Sequence, residues 1–508
     1  MPYMRAAAHD GVMASATRPF TIGALASLGG AALAELLSGL VQARLSPVLA
    51  IAEAVISLTP GAVVERAIDA VGRLDKPLLI LGVVVGLIVC GGIAGVLMAR
   101  HVGAGAVAFT ALSAVPLAAV LSQTDGNRAS AAIVVVSAVV TVIIAMTMLG
   151  GPRYETVGRR TFLRDAATLG IGVVVVGSIG RWMVAASSAV EEARARLSLP
   201  VNRPKPVAGT EVGVDGVAPW RTPNSDFYRI DTTVSPPLIK PEDWRLRIHG
   251  MVDRELTLTY DDLVDRGLQT SWITLCCVSN EVGGDLIGNT EWGGVPITDI
   301  LDEVGVDPDA DALLSTSDDG WNCGTPLAAL TDGRNAMLAV SMDGEPLPVE
   351  HGFPVRMVVP GLYGYVSATK WVVDWEVTRF DRFEAYWTER GWAPLGPVKT
   401  QSRIDTPHDD DELPAGRVAV GGVAWAQHRG IEKVEIRIDD GEWRQAELGR
   451  VQNVDTWVQW RYDWDAEPGD HDIEVRAADR AGDVQTSRTQ GTIPDGATGH
   501  HTVTVSVG

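Results

Sequence analysis

The segment TLCCVSNEVGG, residues 274–284, sets two cysteines side by side in a chain of 508 residues that has four. Neighbouring cysteines bonded to each other would close a strained ring, because a relaxed disulfide needs its Cα atoms well separated. An intact thiol is therefore the better reading, with Asn280 three residues after Cys277. Cys90 and Cys323 add no CxxC pair, no haem-attachment motif and no zinc spacing. This is not a disulfide scaffold.

Outward from that segment the composition splits. Residues 20 to about 188 are dominated by Ala, Val, Leu, Ile and Gly, whereas nearly all Trp, Asp, Glu and Pro come later. The length suggests about three units. The net charge of −21 excludes nucleic acid as a partner, since phosphate contacts need a basic face.

The first block reads as membrane. KPLLILGVVVGLIVCGGIAGVLMAR (76–100), the run 101–123 and the run 130–150 are long enough to span a bilayer. A weaker span at 21–43 carries Glu35, and a last one at 169–188 makes about five. The stretch 47–58 is too short to cross and reads as interfacial. Arg153, Arg159, Arg160 and Arg164 place the loop before the last span in the cytoplasm, so the chain beyond it is extracytoplasmic. Bases at Arg66, Arg73 and Lys76 on the opposite side work against this orientation, although Glu65, Asp69 and Asp75 accompany them. GRRTFLRDAATLGIGVVVVGSIG (158–180) resembles a twin-arginine export signal, placed internally. Haem b in a bundle needs paired intramembrane histidines, and only His101 lies near a span, so no haem is expected. The bundle reads as an anchor in membrane lipid.

Residues 189–219 read as a linker, with Pro, Gly and Val and no helical period. From 220 to 398 short strands (244–252, 353–361, 370–378) alternate with short helices (259–267, 297–306), a mixed α+β pattern. From 399 to 508 alternating strands recur at short intervals, with a hairpin signal at Asp440-Gly441. That spacing suggests an immunoglobulin-like β-sandwich.

The residues able to do chemistry cluster in the α+β region. Cys277 offers a soft thiolate suited to a redox-active transition metal. HGFPVR supplies His351 and Arg356, GLYGYVSATKW ends in Lys370, and TPNSDFYR adds Asn224, Tyr228 and Arg229. Cations and glycine-flanked amides of this kind can cradle a phosphate-bearing cofactor. The residues alone describe a thiolate beside an anion pocket and do not name the metal.

Taken in order, TPNSDFY, WRLRIHGMV, TLCCVSN and HGFPVRMVVPGLYGYVSATKW, followed by the sandwich, resemble the sulfite oxidase family of molybdopterin enzymes over about 215–508. The resemblance implies a molybdenum–molybdopterin cofactor with Cys277 as the metal ligand and Cys276 as a spacer. It implies cofactor binding by Asn224, Tyr228, Arg229, Thr316, His351, Arg356, Ala368, Thr369 and Lys370. Cys277 and Arg229 are the candidate catalytic residues. It also implies oxygen-atom transfer on a small, sulfur-containing substrate, a separate cytochrome or quinone-linked electron partner, and a homodimer joined through the sandwich. Two departures stand out. Glu281, Val282 and two glycines follow Asn280 where the family has basic residues, and the family's active-site tyrosine matches Trp392. A carboxylate there would repel sulfite. An S-oxide reductase, for instance of methionine sulfoxide, is the alternative on the same scaffold. A non-catalytic anchored surface module is the alternative from another class.

Overall fold

The computed structural model describes residues 3–40, 47–59, 75–121, 128–149, 189–201, 205–233 and 235–508. The chain divides into two compact units, one of residues 1–189 with 232–235, the other of 190–231 with 236–508.

Among the described residues of the first unit, four helices are long and apolar enough to cross a membrane: Ala16–Ser38, Lys76–Arg100, Val102–Leu121 and Ser130–Leu149. Pro47–Leu58 forms a helix too short to span. Small residues set the packing, as expected where lipid removes the hydrophobic driving force between helices. A Cβ on Gly23 would stand 2.7 Å from the Cα of Gly95, so the first helix and Asp75–Arg100 meet backbone to backbone. The fifth expected span and the twin-arginine-like segment lie outside the described residues.

In the second unit, residues 245–378 build two sheets. One runs Leu256–Thr259, Arg245–Gly250, Val372–Thr378, Ala312–Ser317, Asn322–Pro326, with Arg245–Gly250 parallel to Val372–Thr378 and the other pairs antiparallel. The other runs Gln269–Cys276, Ile287–Pro296, Met337–Met342, Glu345–Pro346, with Arg356–Val358 also on Met337–Met342. The helices that cover them have local causes. Thr259 and Asp262 make a reciprocal capping box that starts Tyr260–Val264. Ile297–Val304 buries Ile297, Ile300, Leu301 and Val304, one face at helical spacing, and stops at Gly305 with φ +69°. Each such side chain contributes about 1.5–3 kcal/mol of burial.

Beyond Thr400 two further sheets share one core. Gln401–Thr406, Gly416–Trp425, Val458–Ala466 and Glu447–Leu448 form the first. Glu412–Leu413, His501–Val507, Gly469–Asp479, Ile431–Ile438 and Arg444–Gln445 form the second. Val420, Trp460, Val434, Ile473 and Val503, from both sheets, are buried together. Val423, Trp425 and Trp457 instead join the core of the 245–378 sheets, so the two halves of this unit are welded by buried side chains.

Candidate molybdopterin site

The Gln269–Cys276 strand ends at the cysteine doublet, and a tight turn follows. The Cys277 amide donates to Leu286 O at 2.9 Å, the Asn280 amide donates to Cys277 O at 3.1 Å, and Asn280 Oδ1 accepts from the Leu286 amide at 2.8 Å. Asparagine suits this position because its short amide bridges the turn's own backbone. Cys277 is 9 % exposed, and all four cysteines are unbonded to one another. Cys276 packs into the hydrophobic core with its Sγ 3.4 Å from Cys277 O. Burial first, then the neighbouring Cys277, pushes its thiol well above the ordinary range, while Arg403 and Asn280 oppose the rise.

Cations collect on the next elements. Arg356, 5 % exposed, donates from Nε to Met357 O and from Nη1 to His351 O, and lies 5.0 Å above the Trp292 ring. Among the described residues no carboxylate pairs with it. Burial lowers its pKa to about 10, with Tyr228 opposing. Lys370 Nζ reaches Asp231 Oδ2 and Glu350 O, each at 3.2 Å. Burial pulls it down to about 8; Asp231 raises it, and Arg356 and Arg229 lower it further. Arg229 is more exposed and gives its Nε to Asp231 Oδ2 at 2.9 Å. Burial, then Lys370 and Arg356, depress His351 to about 3, so the imidazole is neutral at physiological pH.

Gly352, φ +111°, sits between the buried Arg356 and the largely buried Lys370. A Cβ there would stand 3.0 Å from Arg356 Cβ and 3.1 Å from Lys370 Cβ. The 367–370 loop is tied down by Met357 N–H to Thr369 O at 2.8 Å and by Thr369 Oγ1 against Cys323 Sγ at 3.2 Å. Tyr228 links the two halves of the site. Burial raises its hydroxyl pKa well above normal, then Cys277 and Cys276 add to this, and Arg356 opposes it. Phe227 stacks on Tyr228 and meets Trp292 and His351 edge-on.

Of the residues singled out from sequence, His351, Arg356, Lys370 and Arg229 share this pocket, within one another's fields. Asn224 adjoins it, its backbone raising the His351 pKa against the larger depressing effects. Its Nδ2 donates to Met342 O, and its Oδ1 is buried without a hydrogen bond. Thr316 and Ala368 are half-buried, Thr316 opposite Asp374 on the strand that follows Lys370. Trp392 packs on Tyr365 and Trp387. Glu281 is exposed. Sequence reasoning missed three residues. Asp231 holds both Arg229 and Lys370. Arg403, from the first strand after Thr400, donates from Nη1 to Gly284 O at 2.6 Å and acts electrostatically on Cys276. Gly352 opens the space between the cations. No local pattern marks the first two; only the Gly after His351 was visible, as part of HGFPVR.

A family model, the oxidoreductase molybdopterin binding domain, matches residues 233–387. The oxidoreductase YuiH of Bacillus subtilis, itself uncharacterised, is 32 % identical over 153 residues, 30 % of this chain and 74 % of that protein. The chain belongs to the sulfite oxidase family of molybdopterin oxidoreductases. The mitochondrial sulfite oxidase of Drosophila melanogaster is 28 % identical over 324 residues, covering 53 % of this chain and 55 % of that enzyme. The human mitochondrial sulfite oxidase is 26 % identical, with 57 % of its length covered. The chain thus spans little more than half of those enzymes. The crystal structure of the sulfane dehydrogenase SoxCD from Paracoccus pantotrophus shares the fold, with a TM-score of 0.50 at 22 % identity, over 63 % of this chain and 92 % of that one.

The residues fit the family's cofactor. The buried Arg356 and largely buried Lys370 flanking a glycine, a third cation at the edge and an unsatisfied amide oxygen suit a phosphate-bearing heterocycle. Among the described residues no three His, Cys, Asp or Glu converge as a metal cage, so a single thiolate beside the cofactor's own ligands is the arrangement these donors allow.

Proposed function

We propose that this chain is a membrane-anchored, extracytoplasmic molybdenum-cofactor oxidoreductase that transfers an oxygen atom to or from a small sulfur-containing substrate. One observation supports it: Cys277, a buried thiol that forms no disulfide, lies within the electrostatic reach of Tyr228, as does Arg356, a buried cation that no carboxylate pairs with among the described residues. Cys277 would ligate the metal. Arg356, Lys370 and Arg229 would hold the phosphate, and Asn224, Tyr228, Thr316, His351, Ala368 and Thr369 the pterin and its edges. When bound, the group supplies oxygen-atom transfer coupled to exchange of two electrons with a separate partner.

The protein's own share is positioning and electrostatics. The Leu286 bonds hold the Cys277 turn rigid, and the 367–370 loop is locked to the Arg356 strand. His351 enters neutral, so it can donate or accept without adding charge. Arg403, ion-paired with Asp405, acts electrostatically on Cys276, and its charge would offset repulsion of an anionic sulfur substrate by the exposed Glu281. Four apolar helices support anchoring in lipid. The same reading divides the chain into an anchor (1–188), a linker (189–219), a catalytic domain (220–398) and an immunoglobulin-like dimerisation domain (399–508), exported folded through the twin-arginine-like segment.

Metal analysis tests the site. Wild type should carry about one molybdenum per chain, Cys277→Ser should lose it, and Cys276→Ser should keep it. A folded Cys277→Ser protein with full molybdenum content sinks the assignment.

A further inference from the structure

We infer that Arg194 and Val190 hold in place the turn that carries His351, so that residues 190–199 form part of the wall of the cofactor pocket. The pocket's occupant rests on the function proposed above, and the hold on the turn stands independently of it.

Composition reads residues 189–219 as a linker, and the start of that segment is built into the second unit. Residues 189–196 are helical, and Val190, Arg194 and Leu197 fall at i, i+4 and i+7, one stripe at helical spacing. Val190 is 2 % exposed and lies in one apolar cluster with Phe227, Trp292, Val349 and Phe353. Leu197 and Tyr228 pack against the same cluster. Phe227 stacks on Tyr228 and meets His351 edge-on, and Arg356 lies over the Trp292 ring. The helix thus helps to build the apolar layer on which the pocket residues rest.

Arg194 acts on the backbone. Its Nε is shared between Leu347 O at 2.8 Å and Pro346 O at 3.1 Å, and its Nη2 donates to Pro346 O at 2.9 Å. Nη1 meets Glu191 at 3.4 Å, and Nη2 lies 3.7 Å from Glu345. A planar guanidinium bonded to two consecutive carbonyls sets their direction as well as their position. Pro346 and Pro348 have no N–H, so between them only the Leu347 amide can tie this stretch to the sheet, at Val340 O. The turn follows at once. Pro348 O accepts from the His351 amide at 3.0 Å, and Val349 O accepts from the Gly352 amide at 3.2 Å and from Trp371 Nε1 at 3.0 Å. His351 O then takes Arg356 Nη1, and Glu350 O takes Lys370 Nζ. A turn that presents one imidazole and receives two cations has its entry fixed by Arg194.

Arg196, two residues on, supplies the contrast. Its side chain is 78 % exposed and pairs with Glu192 at 3.3 Å across one helical turn. An exposed pair of this kind contributes little. Arg194 and Val190 are positioning residues, since they contact backbone carbonyls and the apolar layer.

The test compares Arg194→Met, Arg194→Lys, Val190→Ala and Arg196→Met in the full-length, detergent-solubilised protein. Amide hydrogen exchange over residues 347–353, measured on cofactor-free protein, reads the turn. Pterin release from loaded protein, followed by fluorescence, reads the pocket. Arg194→Met should lower protection of the turn by about tenfold, the low end for losing a hydrogen bond to a charged group, and should quicken release by a similar factor. Arg194→Lys, which keeps the charge on a compact head, should recover part of both. Val190→Ala should loosen the turn in the same direction, and it carries the test if Arg194→Met does not fold. Arg196→Met should match wild type in both. A role in general stability alone would spread the loss of protection over the chain and leave release unchanged. Unchanged protection of the turn in a folded Arg194→Met protein overturns the inference. A freed turn with wild-type pterin release removes residues 190–199 from the pocket wall. Wild-type protein that carries no pterin sinks the function proposed above, and exchange alone then decides the hold on the turn.

Discussion

The Lys370 ammonium donates to Asp231 Oδ2 across 3.2 Å and 139 positions of sequence, and the same oxygen takes Arg229 Nε at 2.9 Å. One carboxylate thus serves two cations in a pocket whose third, Arg356, has none. The arrangement is electrostatically incomplete by itself, which suits the anionic cofactor proposed for it.

That imbalance sets a pH dependence. Lys370 has its folded pKa near 8, below the ordinary 10.5, because burial outweighs Asp231. The native chain without cofactor binds fewer protons than the unfolded chain between those values, so its stability rises with pH across that window. Below about pH 8 the full burial penalty of the charge is present. Phosphate binding needs the charged ammonium, so cofactor affinity runs the other way and falls as pH rises through about 8. Pterin release measured by fluorescence should show this step. Asp231→Asn should move it to lower pH, since Asp231 raises Lys370, and Lys370→Met should abolish it.

Gly352→Ala should separate backbone strain from pocket geometry. At φ +111° any side chain is strained, and this one would press on the stems of Arg356 and Lys370. The strain costs about 1–3 kcal/mol. Gly391, φ +94° with nothing within 4 Å of an added Cβ, is the control. Both alanine variants should lose thermal stability, and only Gly352→Ala should lose molybdenum.

What sequence could reveal follows from range. The capping box at Thr259–Asp262 and the Ile297–Val304 face are local, and periodicity exposes them. His351, Arg356 and Lys370 lie within twenty residues and travel in recognisable strings. Asp231 and Arg403 reach the site from 139 and 119 positions away, and nothing in their neighbours announces these partners. Glu281 follows Asn280, where sequence suggests repulsion of an anion; its side chain is exposed, and Arg403 donates to Gly284 O on the same loop.

Arg403 gives the test that separates the two substrate classes. Its Nη1 holds Gly284 O at 2.6 Å and its Nε meets Asp405 Oδ1 at 2.5 Å, so the guanidinium is fixed, and its field reaches Cys276. Arg403→Gln keeps a donor for the carbonyl and removes the charge. A hydrogen bond to a charged group is worth about 1.5–3 kcal/mol, so KM for an anionic substrate such as sulfite should rise by roughly 10- to 150-fold. A neutral sulfoxide gains nothing from that charge, and its KM should change by less than about threefold. Steady-state assays of sulfite oxidation and sulfoxide reduction on both proteins decide between them. A large rise for sulfite with kcat retained places the charge in anion binding, and equal KM values in both proteins for every substrate remove Arg403 from that role.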